Sequence, residues 1–235
     1  MGKVQAQNHR EMPPLQRTLD LPPPFRLVAL REAGDAVAYA SAHAAELGAG
    51  TLVFVGRFDV AEFAVVLEPE EKLVDARRSF YAGMAALADA LSALAPPETS
   101  ITIEWPDALA VDGGLVGGGR LFWPPTTDEQ TVAEWLVFGA VIRLGEGLAG
   151  LAAERLAEGF ARHLMVAIDR WQEGDFDAVA QSYLARLKPE RGAPNAIEPG
   201  GNLRIERAGE AAVCLDLRSA LAAPSWLGRL CGQAA

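Results

Sequence analysis

The chain has 235 residues, 50% of them hydrophobic and 22% charged, an ordinary globular make-up that excludes a disordered or low-complexity protein. Its 21 Lys and Arg against 31 Asp and Glu leave a formal charge of −10, which argues against nucleic acid or a membrane surface as partner. Two cysteines are too few for a disulfide framework or a zinc ribbon. No run approaches the ~20 apolar residues of a membrane span, and none near the start resembles a signal peptide, so a cytoplasmic protein is expected.

Residues 1–24 are rich in proline and lack periodicity, and they read as an extended N-terminal arm. From Phe25 to Leu30 the pattern is that of a strand, closed by Gly34-Asp35. Asp35 can cap a helix to about Leu47, with Gly48 as its stop. Two strands follow, Thr51–Val55 and Glu62–Leu67, joined by a short link that contains Arg57. A long alanine-rich helix from about Lys72 to Leu94 ends at Pro96-Pro97.

Ser100–Trp105 alternates as a strand, which Pro106 must break because it denies the ladder a donor. Asp112-Gly113-Gly114 signals a hairpin turn, and return strands cover about Val116–Trp123 and Glu134–Leu144. Residues from about Glu146 to Trp171 are helical, and Asp175 caps a further helix to Leu187. A Gly/Pro-rich break at Arg191–Asn202 precedes a β-hairpin over 203–217 and a helical tail. The organisation expected is an arm (1–24), a main domain (25–190) and a small C-terminal module (191–235). The fold class is α+β, a mixed or antiparallel sheet packed against helices.

The stretch Ile101–Leu121 carries the chemical signal. Gly117-Gly118-Gly119 inside a strand is costly, and such glycines mark a bulged hairpin or a place where a ligand or another backbone comes close. Trp105 beside Pro106 is suited to flooring a pocket or to a structural role.

Trp105-Pro106-Asp107, Leu109, Asp112-Gly113 and Gly118 together resemble the tryptophan–proline stretch of the biotin and lipoate protein ligase catalytic domain. Phe138–Ile142 is similar to the glycine-punctuated strand that follows it there, which makes Gly139 a ligand-side position, and Trp171, Phe176 and Tyr183 are similar to the helical end of that domain. The resemblance covers about residues 25–190. It implies a fold like that of class II synthetases and a site made of Trp105, Pro106, Asp107, Leu115, Gly117, Gly118, Gly119 and Gly139. The activity it implies is coupling of a carboxylic acid (biotin, lipoate or octanoate) to ATP with Mg²⁺, then transfer of the acyl group to a lysine of a carrier domain.

The departures weigh against that activity. The family's catalytic lysine falls at Leu115, which cannot stabilise a carboxylate or phosphate, and its basic glycine-rich loop contracts to Gly56-Arg57-Phe58-Asp59. Strand alternation puts Arg143 on the face of Gly139, so Arg143 is the first candidate for a relocated catalytic cation and Arg57 the second. The plain alternative for both is a surface arginine. Arg120 points away from the face of Leu115 unless the glycine run bulges and shifts the register.

Cys214 and Cys231 lie past the expected catalytic domain and read as structural. Trp226 reads as capping the main domain or a homodimer interface. Three readings therefore stand: a divergent ligase, a degenerate homologue that binds an acyl ligand, and a module that docks a carrier domain or pairs with a partner subunit.

Overall fold

The computed structural model describes residues 18–145, 147–174, 176–189, 195–206, 209 and 211–232. The arm expected over 1–24 falls mostly outside them. Of the part described, Leu19 and Leu21 pack on the core. Asp20 donates its backbone N–H to Glu158 and accepts from Arg162, so residues 18–24 are laid across the helix that carries those two side chains.

In chain order the elements are β1 (Arg26–Leu30), α1 (Ala36–Leu47), β2 (Thr51–Gly56), β3 (Val60–Leu67), α2 (Leu73–Ala76), α3 (Ser79–Leu94), β4 (Ile101–Glu104), β5 (Ala108–Val111), β6 (Gly114–Phe122) and β7 (Leu136–Arg143). Then come α4 (Ala153–Gly174), α5 (Phe176–Leu184), β8 (Asn195–Ile197), β9 (Leu203–Ile205), β10 (Val213–Leu215), α6 (Leu217–Leu221) and α7 (Leu227–Gly232). Strands β1 to β7 form one sheet in the order β1-β2-β3-β7-β6-β5-β4; only β1 and β2 run parallel. Strands β8, β9 and β10 make a separate antiparallel sheet. The mixed main sheet packed with helices is the α+β class that the sequence indicates.

Alternation divides the main sheet's side chains between two faces. Leu52, Phe54, Phe63, Val65, Leu121, Phe138 and Ile142 turn towards α3, α4 and α5 and form the large core. Val53, Val55, Ala64, Val66 and Val137 turn the other way and are covered by α1. Further along this second face, α1 gives way to the C-terminal segment, whose Trp226 and Leu230 pack on Ala108, Leu115 and Val141.

Several expected elements change in detail. The helix expected over Lys72–Leu94 is two, because the Asp75 carbonyl accepts both the backbone N–H and the Nε of Arg78, which interrupts the i→i+4 ladder. The strand ending near Trp105 turns at 105–107 and returns as β5, a strand too short and too evenly buried to announce itself by alternation. β8 occupies the middle of the stretch read as a Gly/Pro break. The helical tail is two short helices. Asp175, expected as a cap, lies outside the described residues.

Candidate functional site

Residues 105–107 form a strapped corner. The Trp105–Pro106 peptide is cis. Tyr183, on α5, donates its hydroxyl to the Pro106 carbonyl at 2.7 Å, and the Trp105 indole N–H points at the Tyr81 hydroxyl at 3.4 Å. Tyr81 in turn donates to the Gly201 carbonyl. Burial pushes both phenols well above their ordinary pKa of 10.0. The outer side of Trp105 borders a groove of ≈ 360 Å³, shared with Glu104, Lys188, Asn195 and Ile205.

Asp107 is buried, and its carboxylate accepts from the Ser225 backbone N–H (3.0 Å to Oδ2) and from the Ser225 hydroxyl. Burial pushes its pKa up, and the Ser225 hydrogen bonds oppose that shift. Asp107 thus fastens the turn that leads into α7. Glu104, next to it, accepts from Lys188 and from Arg229 of α7, both at 2.8 Å, and these hydrogen bonds hold its pKa below the ordinary value.

The β5–β6 hairpin settles the register. Asp112 (φ 49°) and Gly113 (φ 81°) both take positive φ, as a two-residue type I′ turn requires. Ala110 pairs with Leu115 but Leu109 pairs with Gly117, so Val116 is an extra residue on β6. At this bulge Gly117 adopts φ 151°, and a Cβ there would overlap the Val141 carbonyl. Leu115, Gly118 and Arg120 therefore share the α1/α7 face, with Gly139 directly opposite Arg120. The condition under which Arg120 joins the face of Leu115 is met.

The glycines on this face meet the protein's own side chains. A Cβ on Gly118 would stand 2.6 Å from Cδ1 of Trp226, and one on Gly139 would overlap Cγ2 of Val37 from α1. Gly119 faces the large core instead, where Met84 Sδ and Phe138 leave no room for a Cβ. Leu115 is buried with Trp226 and Leu230.

The three arginines near this face differ. Arg57 is fully engaged: it pairs with Glu62 and donates Nε to the Glu32 carbonyl (3.0 Å) and Nη2 to the Gly34 carbonyl (2.9 Å). Glu62 also accepts from the Ala36 N–H at the start of α1, so this pair positions that helix. Arg143 lies on the face, as alternation requires, and donates Nη2 to the Leu230 carbonyl of α7 at 2.8 Å. Arg120 is half-buried, with its guanidinium carbon 4.4 Å from the Phe122 ring centroid, and no hydrogen bond or ion pair ties it to any described residue. Burial lowers its pKa, while the Asp35 and Asp107 charges act against that.

The arginine of the β2–β3 turn is spent on Glu62 and two carbonyls, and position 115 is apolar. Among the described residues no group of three or more His, Cys, Asp or Glu could hold a metal ion. A groove of ≈ 600 Å³ beside Arg57 and Phe58 is bordered by Glu32 and Glu154, the wrong sign for phosphate.

Sequence reasoning passed over Val37 and Ser225, left the face of Arg120 conditional on a bulge, and left the partner of Trp226 open. A bulge that opens onto consecutive glycines has little side-chain alternation to betray it, and a glycine cannot name the side chain that lies on it.

The model of the biotin/lipoate A/B protein ligase family matches residues 21–185. No curated protein matches the chain in sequence. Among solved structures, a biotin protein ligase-like protein of unknown function from Silicibacter sp. TM1040 is 28% identical, with a TM-score of 0.75 over 87% of this chain and 99% of that one. Biotin protein ligase from Aquifex aeolicus is 12% identical, with a TM-score of 0.63 over 81% of this chain and 95% of its own. The same enzyme in complex with biotin and ATP gives 0.59, again at 12% identity and over the same shares. Described residues include no helix long and apolar enough to cross a membrane.

Proposed function

Because this chain belongs to the biotin/lipoate A/B protein ligase family, we propose that it binds a small carboxylic acid of the biotin, lipoate or octanoate kind without coupling it to ATP. The observation that carries the reading is Leu115, which stands at the family's lysine position and is buried under Trp226 and Leu230. Cations at developing phosphate charge are typically worth factors of about 10²–10³ each; Arg57 is spent on Glu62 and two carbonyls, and Arg143 gives one donor to the Leu230 carbonyl. Family and fold by themselves do not carry activity.

The Aquifex enzyme crystallised with biotin and ATP supports the class of ligand, since its fold is shared at low identity. In the competing reading, the acid is activated as an acyl-adenylate, with Arg143 or Arg57 as the cation, and passed to a carrier-domain lysine. Two measurements separate the readings. Pyrophosphate release with ATP, Mg²⁺ and each acid is expected to stay at the blank, while each acid tested alone should include at least one that raises the melting temperature. Turnover that disappears in Arg143→Ala overturns the proposal in favour of the ligase. Absence of both turnover and thermal shift removes the acid as ligand and leaves carrier docking, read out by pulldown of a biotinyl or lipoyl domain.

A further inference from the structure

We propose that Arg120 is the residue that receives the carboxylate of the bound acid, which makes this a ligand site built around a cation that the family's lysine position does not supply. The proposal rests on the binding reading above and adds its specificity-determining residue. Its first support is topological. The extra residue Val116 turns Arg120 onto the face shared by Leu115 and Gly118, opposite Gly139. Without that bulge the side chain would enter the large core between sheet and helices, where a guanidinium has no place.

The second support is the state of the guanidinium. Arg57 is committed to protein acceptors and Arg143 gives one donor to the Leu230 carbonyl, whereas Arg120 has no described hydrogen-bond or ion-pair partner. Arginine carries five N–H donors in a rigid fork, and a half-buried one must give them to something. The nearby carboxylates do not take them: Asp35 Oδ1 accepts from the Ala38 N–H, and both oxygens of Asp107 accept from Ser225. Phe122 stacks on the guanidinium, whose carbon lies 4.4 Å from the ring centroid, and the fork of donors that no described protein acceptor takes matches the two oxygens of a planar acid.

The third support is the setting. Along β6 the residue two before Arg120 is Gly118, covered by Trp226; across the ladder stands Gly139, covered by Val37. The guanidinium thus emerges between two apolar walls, one from α1 and one from the C-terminal segment. That arrangement suits a monocarboxylic acid with an apolar tail better than a diffuse polyanion.

The test is calorimetric titration of octanoate, and of uncharged octanamide, into wild type, Arg120→Ala and Arg120→Lys. Wild type should prefer octanoate. Arg120→Ala should weaken octanoate by about 10- to 100-fold, the scale of hydrogen bonds to charged groups, and octanamide, which offers one neutral acceptor, by much less. Arg120→Lys, which keeps the charge but not the fork, should fall between. Should the alanine variant fail to fold, Arg120→Gln gives the same comparison. Octanoate binding to Arg120→Ala or Arg120→Gln as tightly as to wild type overturns this assignment and leaves the binding reading standing. Failure of wild type to bind octanoate, lipoate or biotin overturns both.

Discussion

Trp226 occupies the space that a side chain at Gly118 would need: a Cβ on that glycine would stand 2.6 Å from Cδ1 of the indole. The indole is almost wholly buried, and its N–H points at the Gly119 carbonyl at 3.4 Å. Trp226→Ala should therefore lower unfolding stability by about 3–5 kcal/mol, read from the denaturant midpoint at constant slope. Adding Gly118→Ala to that variant should not restore it, because the Cβ also overlaps the Asp107 carbonyl, which no truncation removes.

Gly139 and Val37 give the contrasting case. Apart from the Val37 side chain, the nearest atom to a Cβ on Gly139 is the Phe63 carbonyl oxygen at 3.9 Å, a comfortable contact. Gly139→Ala alone should cost about 1–3 kcal/mol from overpacking. Val37→Ala in the same chain should recover most of that cost, and thermal melts of the four proteins in the cycle measure it. Additive losses would show that α1 does not seat on β7 as described.

The Arg57–Glu62 pair ties the β2–β3 turn to the start of α1. Glu62 is buried, so Arg57→Ala leaves a carboxylate without its counter-charge. The Arg57 side chain is about a third exposed, and screening there reduces the expected loss to about 1–3 kcal/mol. A double-mutant cycle with Glu62→Gln should return a coupling energy of the stabilising sign.

Alkaline stability should depend on Tyr81 and Tyr183. Burial raises both phenols, so above the ordinary value of 10.0 the folded chain keeps protons that the unfolded chain releases. Unfolding then proceeds with proton loss, and stability, unaffected by these groups below that pH, falls as pH rises beyond it. A pH titration followed at the phenolate absorbance should show these two ionising only together with loss of near-UV circular dichroism. Smooth ionisation in a chain that stays folded would contradict their burial.

Much of the frame is legible in the sequence, since each legible part has a local cause. Asp35 does cap α1, accepting from the Ala38 N–H at 2.8 Å, and the near-continuous apolar runs of β2 and β3 follow from one face meeting α1 and the other meeting α4. The Asp112-Gly113 turn is legible because only residues tolerant of positive φ fit there. The face of Arg120 is not, because it depends on a single inserted residue, Val116, at the head of a run of glycines. The covering of Leu115 and Gly118 is equally hidden: Trp226 just precedes, and Leu230 lies within, a six-residue helix whose local pattern says nothing of the distant strand it lies on.

The small β8–β10 sheet leans on its neighbour for its own completion. Leu217 lies in the large core, Tyr81 reaches the Gly201 carbonyl, and Arg78 donates to the Pro199 carbonyl at 2.8 Å. Such a module cannot be exchanged between proteins like a cartridge, because each socket it fills is cut to its own plugs. Drift on one side of the seam is tethered to drift on the other, and a chimaera joined after residue 189 inherits the mismatch wherever those three points of attachment are not carried across together.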